Sequence, residues 1–394
     1  MTDVYIVDAL RTPVGKAPRG VFKHTLPDDL LAHTIKTLKT RQTTVDWEAI
    51  GDVVIGCAMP EAEQGMNVAR IASLLADLPQ SVPAMTVNRF CSSGVQSIST
   101  AAAGIRQGDL SLALAGGVES MSMVPLGGNK YTANPAIFDN EHIAIAYGMG
   151  ITAEHVAKRW HITREAQDAF AAESHRRAIL AQQRGDFDAE IVPMPIIDRH
   201  VNLVTGVVEC RERMIMRDEG PRAETSYEAI ARLKPAFAAK GTVTAGNSSQ
   251  MSDGAGIALL ASEAALKQYQ LQPLGRLLSY AVVGVPPEIM GIGPAHAIPL
   301  ALKRAGLTLD QMDWIELNEA FAAQALAVTK ELNLPLDKVN PLGGAIALGH
   351  PLGATGAIRT ATLLHGLRRT KGRYGMVTMC IGTGMGAAAI FEAL

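Results

Sequence analysis

Cysteine is scarce in this chain of 394 residues: there are four, at positions 57, 91, 210 and 380, and no two form a CxxC pair. That excludes a disulfide framework and fits free thiols in a reducing compartment such as the cytoplasm. Charge imbalance is missing too. Lys and Arg number 36 against 38 Asp and Glu, for a net charge of -2, so neither a nucleic-acid surface nor a basic membrane-binding face is offered. No run of about 18 apolar residues occurs, and positions 1–10 lack a basic stretch followed by an apolar one, which argues against a membrane span or a secretory leader. The ten histidines contain no HxxxH or HExxH spacing, so no metal site is expected. What remains is 48% hydrophobic, enough to bury a large core in two or three domains.

The stretch that organises the chain is Asn88-Arg89-Phe90-Cys91-Ser92-Ser93-Gly94. An apolar run over 84–87 enters it and a small-residue segment over 94–104 leaves it, so Cys91 is expected at a strand-to-helix turn. A helix N-terminus favours thiolate over thiol, and the expected thiol pKa falls to roughly 3.5–7.5. By itself Cys91 reads more readily as an inert buried core cysteine. A second, equivalent turn late in the chain changes that balance.

Element by element, the order of 4–117 returns from 275. Strand patterns at 4–10 and 52–58, helix patterns at 28–40 and 67–78, and the strand 110–117 are answered by 275–284, 312–317, 293–306, 319–332 and 374–380. The approach to Cys91 is answered by 338–350, after which Pro351 opens a helix. Alternating strands and helices, duplicated, predict an α/β fold of two mostly parallel sheets covered by helices. In the second copy Cys380 leads through Ile381-Gly382-Thr383-Gly384 straight into the strand 387–391. In the first, the matching segment 253–260 comes only after a long insertion. That insertion carries polar loops at 129–141, an amphipathic helix at 164–183 capped by Thr163 and stopped near Gly185, and a charged stretch at 211–224. It reads as a cap over one face, either for substrate specificity or as a stabilising or oligomer-contact excursion. The expected division is 1–118 plus 251–272, an inserted 119–250, and 273–394.

Two halves packed about a pseudo-twofold axis would bring the N-termini of the Cys91 and His350 helices together. A histidine with a pKa near 6.5 is suited to take a thiol proton. Asn318 and Cys380 fall at neighbouring strand ends; the amide can hold a water or an oxyanion, and the Gly-rich continuation after Cys380 exposes backbone N–H groups. Two thiols with one imidazole suit proton transfer beside a carbonyl. Gly382-Thr383-Gly384-Met385-Gly386 lies too near residue 394 to be a dinucleotide loop.

These motifs, together with Gly116-Gly117-Val118-Glu119-Ser120-Met121-Ser122, GTVTAGNSSQMSD at 241–253, Asn318-Glu319-Ala320-Phe321 and GGAIALGHPLGATG at 343–356, resemble those of the thiolase family from end to end. The resemblance implies a five-layer αβαβα fold of two duplicated mixed-sheet α/β halves with an inserted loop domain, assembled as a homodimer or homotetramer. It implies coenzyme A as a substrate, no tightly bound cofactor, and cytoplasmic β-oxidation of fatty acids with possible docking to a multienzyme complex. Cys91 would be the acyl-accepting nucleophile, His350 its base, and Cys380 the acid/base at the α-carbon. Asn318 with His350 would form one oxyanion site, and the N–H groups of Cys91 and Gly382 the other. Arg222, Ser249 and Met149 would contact CoA.

The chain departs from biosynthetic acetoacetyl-CoA thiolases in reading Gly148-Met149-Gly150 where those read His-Met-Gly, and in Ala229 where the family has a CoA-contacting serine. These differences favour the degradative 3-ketoacyl-CoA class, with a short-chain acetoacetyl-CoA enzyme as the alternative. A ketoacyl synthase would need a second histidine in place of the Cys380 motif. A cysteine hydrolase would release free acid without CoA, and a binding protein lacking chemistry would have degenerate catalytic positions.

Overall fold

The computed structural model describes residues 3–139 and 142–394; Asn140 and Glu141, at the end of the expected polar loop, lie outside the described residues, as do Met1 and Thr2. The N-terminal portion runs β1 (Val4–Arg11), β2 (Gly15–Lys16), α1 (Pro27–Arg41), β3 (Ile50–Gly56), α2 (Val68–Leu75), β4 (Ala84–Val87), α3 (Ser93–Gln107) and β5 (Leu112–Ser120). The insertion holds α4 (Met149–Arg159), α5 (Arg164–Arg184), β6 (Met194–Val201), β7 (Val208–Ile215) and α6 (Tyr227–Ala231), after which β8 (Ser252–Ser262) and α7 (Glu263–Tyr269) return to the first half. The last portion is β9 (Gly275–Gly284), α8 (Gly293–Ala305), β10 (Trp314–Leu317), α9 (Ala322–Leu332), α10 (Ala345–Leu348), α11 (Leu352–Thr370), β11 (Tyr374–Ile381) and β12 (Met385–Ala393).

Strand order is β10-β11-β12-β9-β1-β8-β5-β3-β4, with β2 added to β8. About the β9–β1 junction four strands on each side mirror one another, β9 with β1, β12 with β8, β11 with β5 and β10 with β3, as a duplicated chain requires; β4 is answered by the single bridge Ile315↔Val339. The expectation of two mostly parallel sheets is corrected. Among the strands of the described residues, only β3–β4, β3–β5 and β10–β11 pair in parallel. β1, β8, β9 and β12 run antiparallel to their neighbours, and the halves join at Tyr5↔Arg276 and Ile6↔Gly275 into one sheet. Apolar periodicity marks a buried strand without giving its direction.

Three apolar clusters define the layers. One gathers α1 and α2 residues such as Leu30, Ile35 and Ala72 on one face of the N-terminal strands. Another gathers α8 and α9 residues such as Ile298, Ala325 and Val328 on the C-terminal strands. Between them α3 and α11 form the middle layer, with Val95, Ile98, Leu363 and Leu364 packed among Val54, Ala113, Val377 and Met379. Their approach is close enough to require glycine: a Cβ on Gly94 would lie 2.6 Å from the Ala357 nitrogen, and one on Gly356 would lie 2.3 Å from the Val95 nitrogen.

In the insertion, Thr163 caps α5 by accepting from the Ala166 N–H, and Gly185 ends it at φ 72. The charged stretch after residue 207 is partly strand: β7 pairs with β6 from Val201↔Val208 to Met194↔Ile215. Among the described residues no helix is long and apolar enough to cross a membrane.

Candidate active site

Cys91 sits in a 3-10 turn, Phe90–Ser92, immediately ahead of α3. The turn is locked by its neighbours. Asn88 accepts from the Phe90 N–H at 2.8 Å and donates to the Ala58 carbonyl at 3.0 Å, while Ser93 Oγ donates to the Phe90 carbonyl at 2.7 Å and accepts from the Arg89 N–H at 2.8 Å. Phe90 has φ 44, a left-handed conformation a bulky side chain adopts only when its surroundings over-determine it.

Burial pushes the Cys91 thiol up to about 11, with the Glu119 charge acting in the same direction and the backbone N–H groups of Gly382 and of Cys91 itself pulling the other way. The expectation of a lowered pKa is therefore corrected. Removing a thiolate from water outweighs what one N–H group at a helix start and one in the β11–β12 turn return.

α11 begins one residue after Pro351, so His350 stands just outside its first turn. Its backbone N–H is held by the Gln250 carbonyl and Ser252 Oγ, each at 3.1 Å. Its Nδ1 lies 2.6 Å from Thr355 Oγ1, and that hydroxyl donates to the Pro351 carbonyl at 3.0 Å. A hydroxyl whose one proton is committed can only accept from the ring, so Nδ1 carries the proton and Nε2 presents a lone pair. Burial, helped by the Arg359 charge, lowers the His350 pKa to about 3. The resting pair is thus a neutral thiol and a neutral imidazole, not the near-neutral titration expected from the sequence.

Asn318 follows β10, its N–H donating to the Thr378 carbonyl of β11 at 2.9 Å. Its Nδ2 is 3.3 Å from His350 Nε2, and its buried Oδ1 has no hydrogen-bond partner among the described residues. A buried acceptor left unpaired destabilises by about 1–3 kcal/mol, which points to a function-bearing site. Cys380, wholly buried at the end of β11, has its thiol pushed well up by burial and then by Cys91; two residues on, a Cβ on Gly382 would lie 3.8 Å from the Phe90 ring, so the turn after Cys380 meets the turn that holds Cys91.

Met149, at the start of α4, packs against the cluster that contains Cys380, and a Cβ on Gly382 would lie 3.6 Å from its sulfur. Ser249 donates its N–H to the Ala320 carbonyl at 2.9 Å, beside Asn318. Arg222 is different: it is exposed, its backbone N–H donating to His175 Nδ1 at 3.2 Å and its carbonyl accepting from the Thr225 N–H at 3.2 Å. The structure sets Cys380, Gly382 and Met149 beside the Cys91 turn, Asn318 against His350 and Ser249 near Asn318, and leaves Arg222 at the surface. Sequence reading did not single out Thr355 or Glu119. A threonine in a first helical turn after a functional histidine was the available signal for Thr355, and a carboxylate inside an otherwise apolar strand was the signal for Glu119.

Comparison with known proteins identifies the family. The thiolase N-terminal domain matches residues 4–264 and the thiolase C-terminal domain residues 271–393. A Bacillus subtilis protein named 3-ketoacyl-CoA thiolase is 49% identical over 394 residues, covering 100% of both chains. The human peroxisomal 3-ketoacyl-CoA thiolase is 49% identical over 392 residues, covering 99% of this chain and 91% of that protein. The crystal structure of the Bacillus anthracis acetyl-CoA acetyltransferase superposes with a TM-score of 0.90 at 39% identity, covering 100% of this chain and 99% of that one. With two domain matches that together span nearly its whole length, the chain belongs to the thiolase family.

Proposed function

We propose that this protein cleaves 3-ketoacyl-CoA with coenzyme A to give acyl-CoA and acetyl-CoA, in the degradative direction of fatty-acid β-oxidation. The observation that carries this reading is the pair of buried, interacting thiols Cys91 and Cys380, together with a buried neutral imidazole bonded to Asn318 at the end of the strand beside Cys380, in a chain 49% identical to proteins named 3-ketoacyl-CoA thiolase. No tightly bound cofactor enters the chemistry.

Cys91 sulfur attacks the 3-keto carbon while His350 Nε2 takes the thiol proton. The bond between the α- and β-carbons breaks, and its electron pair stays on acetyl-CoA as an enolate. Cys380, which burial keeps protonated at neutral pH, gives its proton to that carbon and becomes a thiolate. An incoming CoA thiol passes its proton to Cys380 and attacks the acyl-Cys91 thioester. Acyl-CoA leaves, and Cys91 recovers its proton from the His350 imidazolium. One difficult displacement is thereby divided into two. The Cys91 and Gly382 N–H groups face the acyl-enzyme oxygen, and Asn318 with His350 faces the enolate oxygen; loss of one such donor raises a barrier by about 2.7–4 kcal/mol. Met149 and Ser249 line the approach for the pantetheine arm, with Arg222 outside for the nucleotide.

The same reading takes the chain as the division 1–118 plus 251–272, 119–250 and 273–394, acting as a cytoplasmic homo-oligomer. Exposed Met66, Leu74, Leu75 and Met85, on and beside the free edge strand β4, support self-association. The test is steady-state thiolysis across a series of 3-ketoacyl-CoAs of increasing chain length. Comparable or better kcat/KM on medium and long chains supports the degradative class; a strong preference for acetoacetyl-CoA overturns it in favour of a short-chain enzyme.

A further inference from the structure

We propose that Glu119 is a positioning residue that holds the Cys91 turn and the His350 helix in mutual register. The inference rests on the acyl-transfer roles proposed for Cys91 and His350, and deepens them. Glu119 lies on β5 with no solvent exposure, and its carboxylate collects donors from three separate segments. Oε2 accepts from the Ala58 N–H at 2.8 Å and from the Gly353 N–H at 2.7 Å. Oε1 accepts from Gln64 Nε2 at 2.8 Å, from the Met59 N–H at 3.2 Å, and from the Cys57 thiol at 3.8 Å.

These donors belong to opposite halves of the fold. Gly353 is in the first turn of α11, three residues beyond His350, so its N–H is one of the donors a helix leaves unpaired at its start. Ala58 and Met59 follow β3, and the Ala58 carbonyl is in turn the acceptor for Asn88, whose other amide atom fixes Phe90. One short path therefore runs from the Cys91 turn through Asn88, Ala58 and Glu119 to Gly353 and the base of the His350 helix. All of the hydrogen bonds given for the carboxylate come from neutral donors. Burying a carboxylate on such partners is expensive unless every lone pair is used, and here both oxygens accept at least two hydrogen bonds. The negative end also faces the positive end of α11. A cap of this kind could be supplied by a serine or an aspartate from a single neighbouring loop; a glutamate reaching from β5 to both halves does what those could not, which is to set the distance between them.

The test is Glu119→Gln in the full-length protein. The amide would set an NH2 group against two N–H donors, so the linkage opens on one side. A displacement of about 1 Å in such a site can lower the rate by about 100-fold. The expected result is a fall in kcat of that size, per folded protein, with KM for CoA and for 3-ketoacyl-CoA unchanged and with Glu119→Asp intermediate. A lowered melting temperature with wild-type kcat would show a purely structural carboxylate and overturn the inference. If Glu119→Gln does not fold, Asn88→Ala decides: it cuts the same path on the Cys91 side while leaving the carboxylate bonded, and wild-type kcat in the folded variant overturns the inference. Cys91→Ser run alongside separates the two levels. Activity surviving in Cys91→Ser removes the acyl-transfer reading itself, whereas an inactive Cys91→Ser beside a fully active Glu119→Gln removes only the role of Glu119.

Discussion

Gly117 on β5 and Gly353 on α11 approach so closely that a Cβ on Gly117 would lie 2.1 Å from the Gly353 carbonyl oxygen and 2.9 Å from the Ala354 Cα. The contact joins the two halves beside the catalytic turns, and the opposing atoms are backbone, which cannot rotate away. Gly117→Ala is expected to destabilise the fold by about 1–3 kcal/mol or more. Urea unfolding measures it; a stability equal to wild type would mean the two halves are not pressed together here.

Thr355 fixes which nitrogen of His350 carries the proton. Thr355→Val keeps the shape and removes the acceptor for Nδ1–H, so the ring loses its tautomer and orientation. We expect kcat to fall about tenfold to 100-fold, as for other losses of alignment around a general base, while Thr355→Ser retains most activity. Steady-state kinetics on both variants checks this, and equal activity of the two would exclude the role.

The two thiols divide the work. Cys380→Ser is expected to suppress exchange of the α-protons of acetyl-CoA with solvent deuterium while leaving some transfer of the acyl group to Cys91, because the acid/base at carbon and the nucleophile are different atoms. Proton NMR of acetyl-CoA in deuterium oxide with catalytic enzyme reads the exchange directly. Exchange at the wild-type rate would move that role to another group.

Glu316 on β10 gives a pH prediction. It is fully buried, takes one hydrogen bond from Trp314 Nε1 at 2.7 Å, and lies 3.6 Å from the Arg359 guanidinium. Burial outweighs Arg359 and raises its pKa to about 7. The folded state therefore binds this proton more tightly than the unfolded state does. Its contribution is complete below the ordinary carboxylate value of about 4.5 and is lost as pH rises through about 7. Glu316→Gln removes that loss, so relative to wild type the variant should gain about 1–3 kcal/mol between pH 4.5 and pH 8. Denaturant midpoints at several pH values measure the gain; a difference that does not change with pH would mean Glu316 is not proton-linked to folding.

Much of this architecture was readable from order alone. The repeat across 4–117 and 275–380 placed Cys91 and His350 at equivalent helix starts, and β4, β9 and α5 fall within a residue of where their apolar periodicity and caps set them. Strand direction was not readable, because alternation in β8 or β12 is the same whichever way a neighbour runs. Nor were the protonation states of Cys91 and His350. A helix terminus is visible in sequence, but the burial that overrides it depends on which residues from the other half close over the site. Glu119 stayed hidden because its importance lies in partners brought from elsewhere, Ala58 and Gly353, whereas the imidazole that Thr355 holds is only five residues away and left a local signal.

The central claim, that Cys91 carries the acyl group with His350 as its base, is tested most directly by intact-protein mass spectrometry after brief incubation with an acyl-CoA and no free CoA. The account predicts a mass increase of one acyl group, mapped by peptide analysis to Cys91, absent in Cys91→Ser, slow to form in His350→Ala and discharged on adding CoA. An adduct on another residue, or its formation at the wild-type rate without His350, would contradict it.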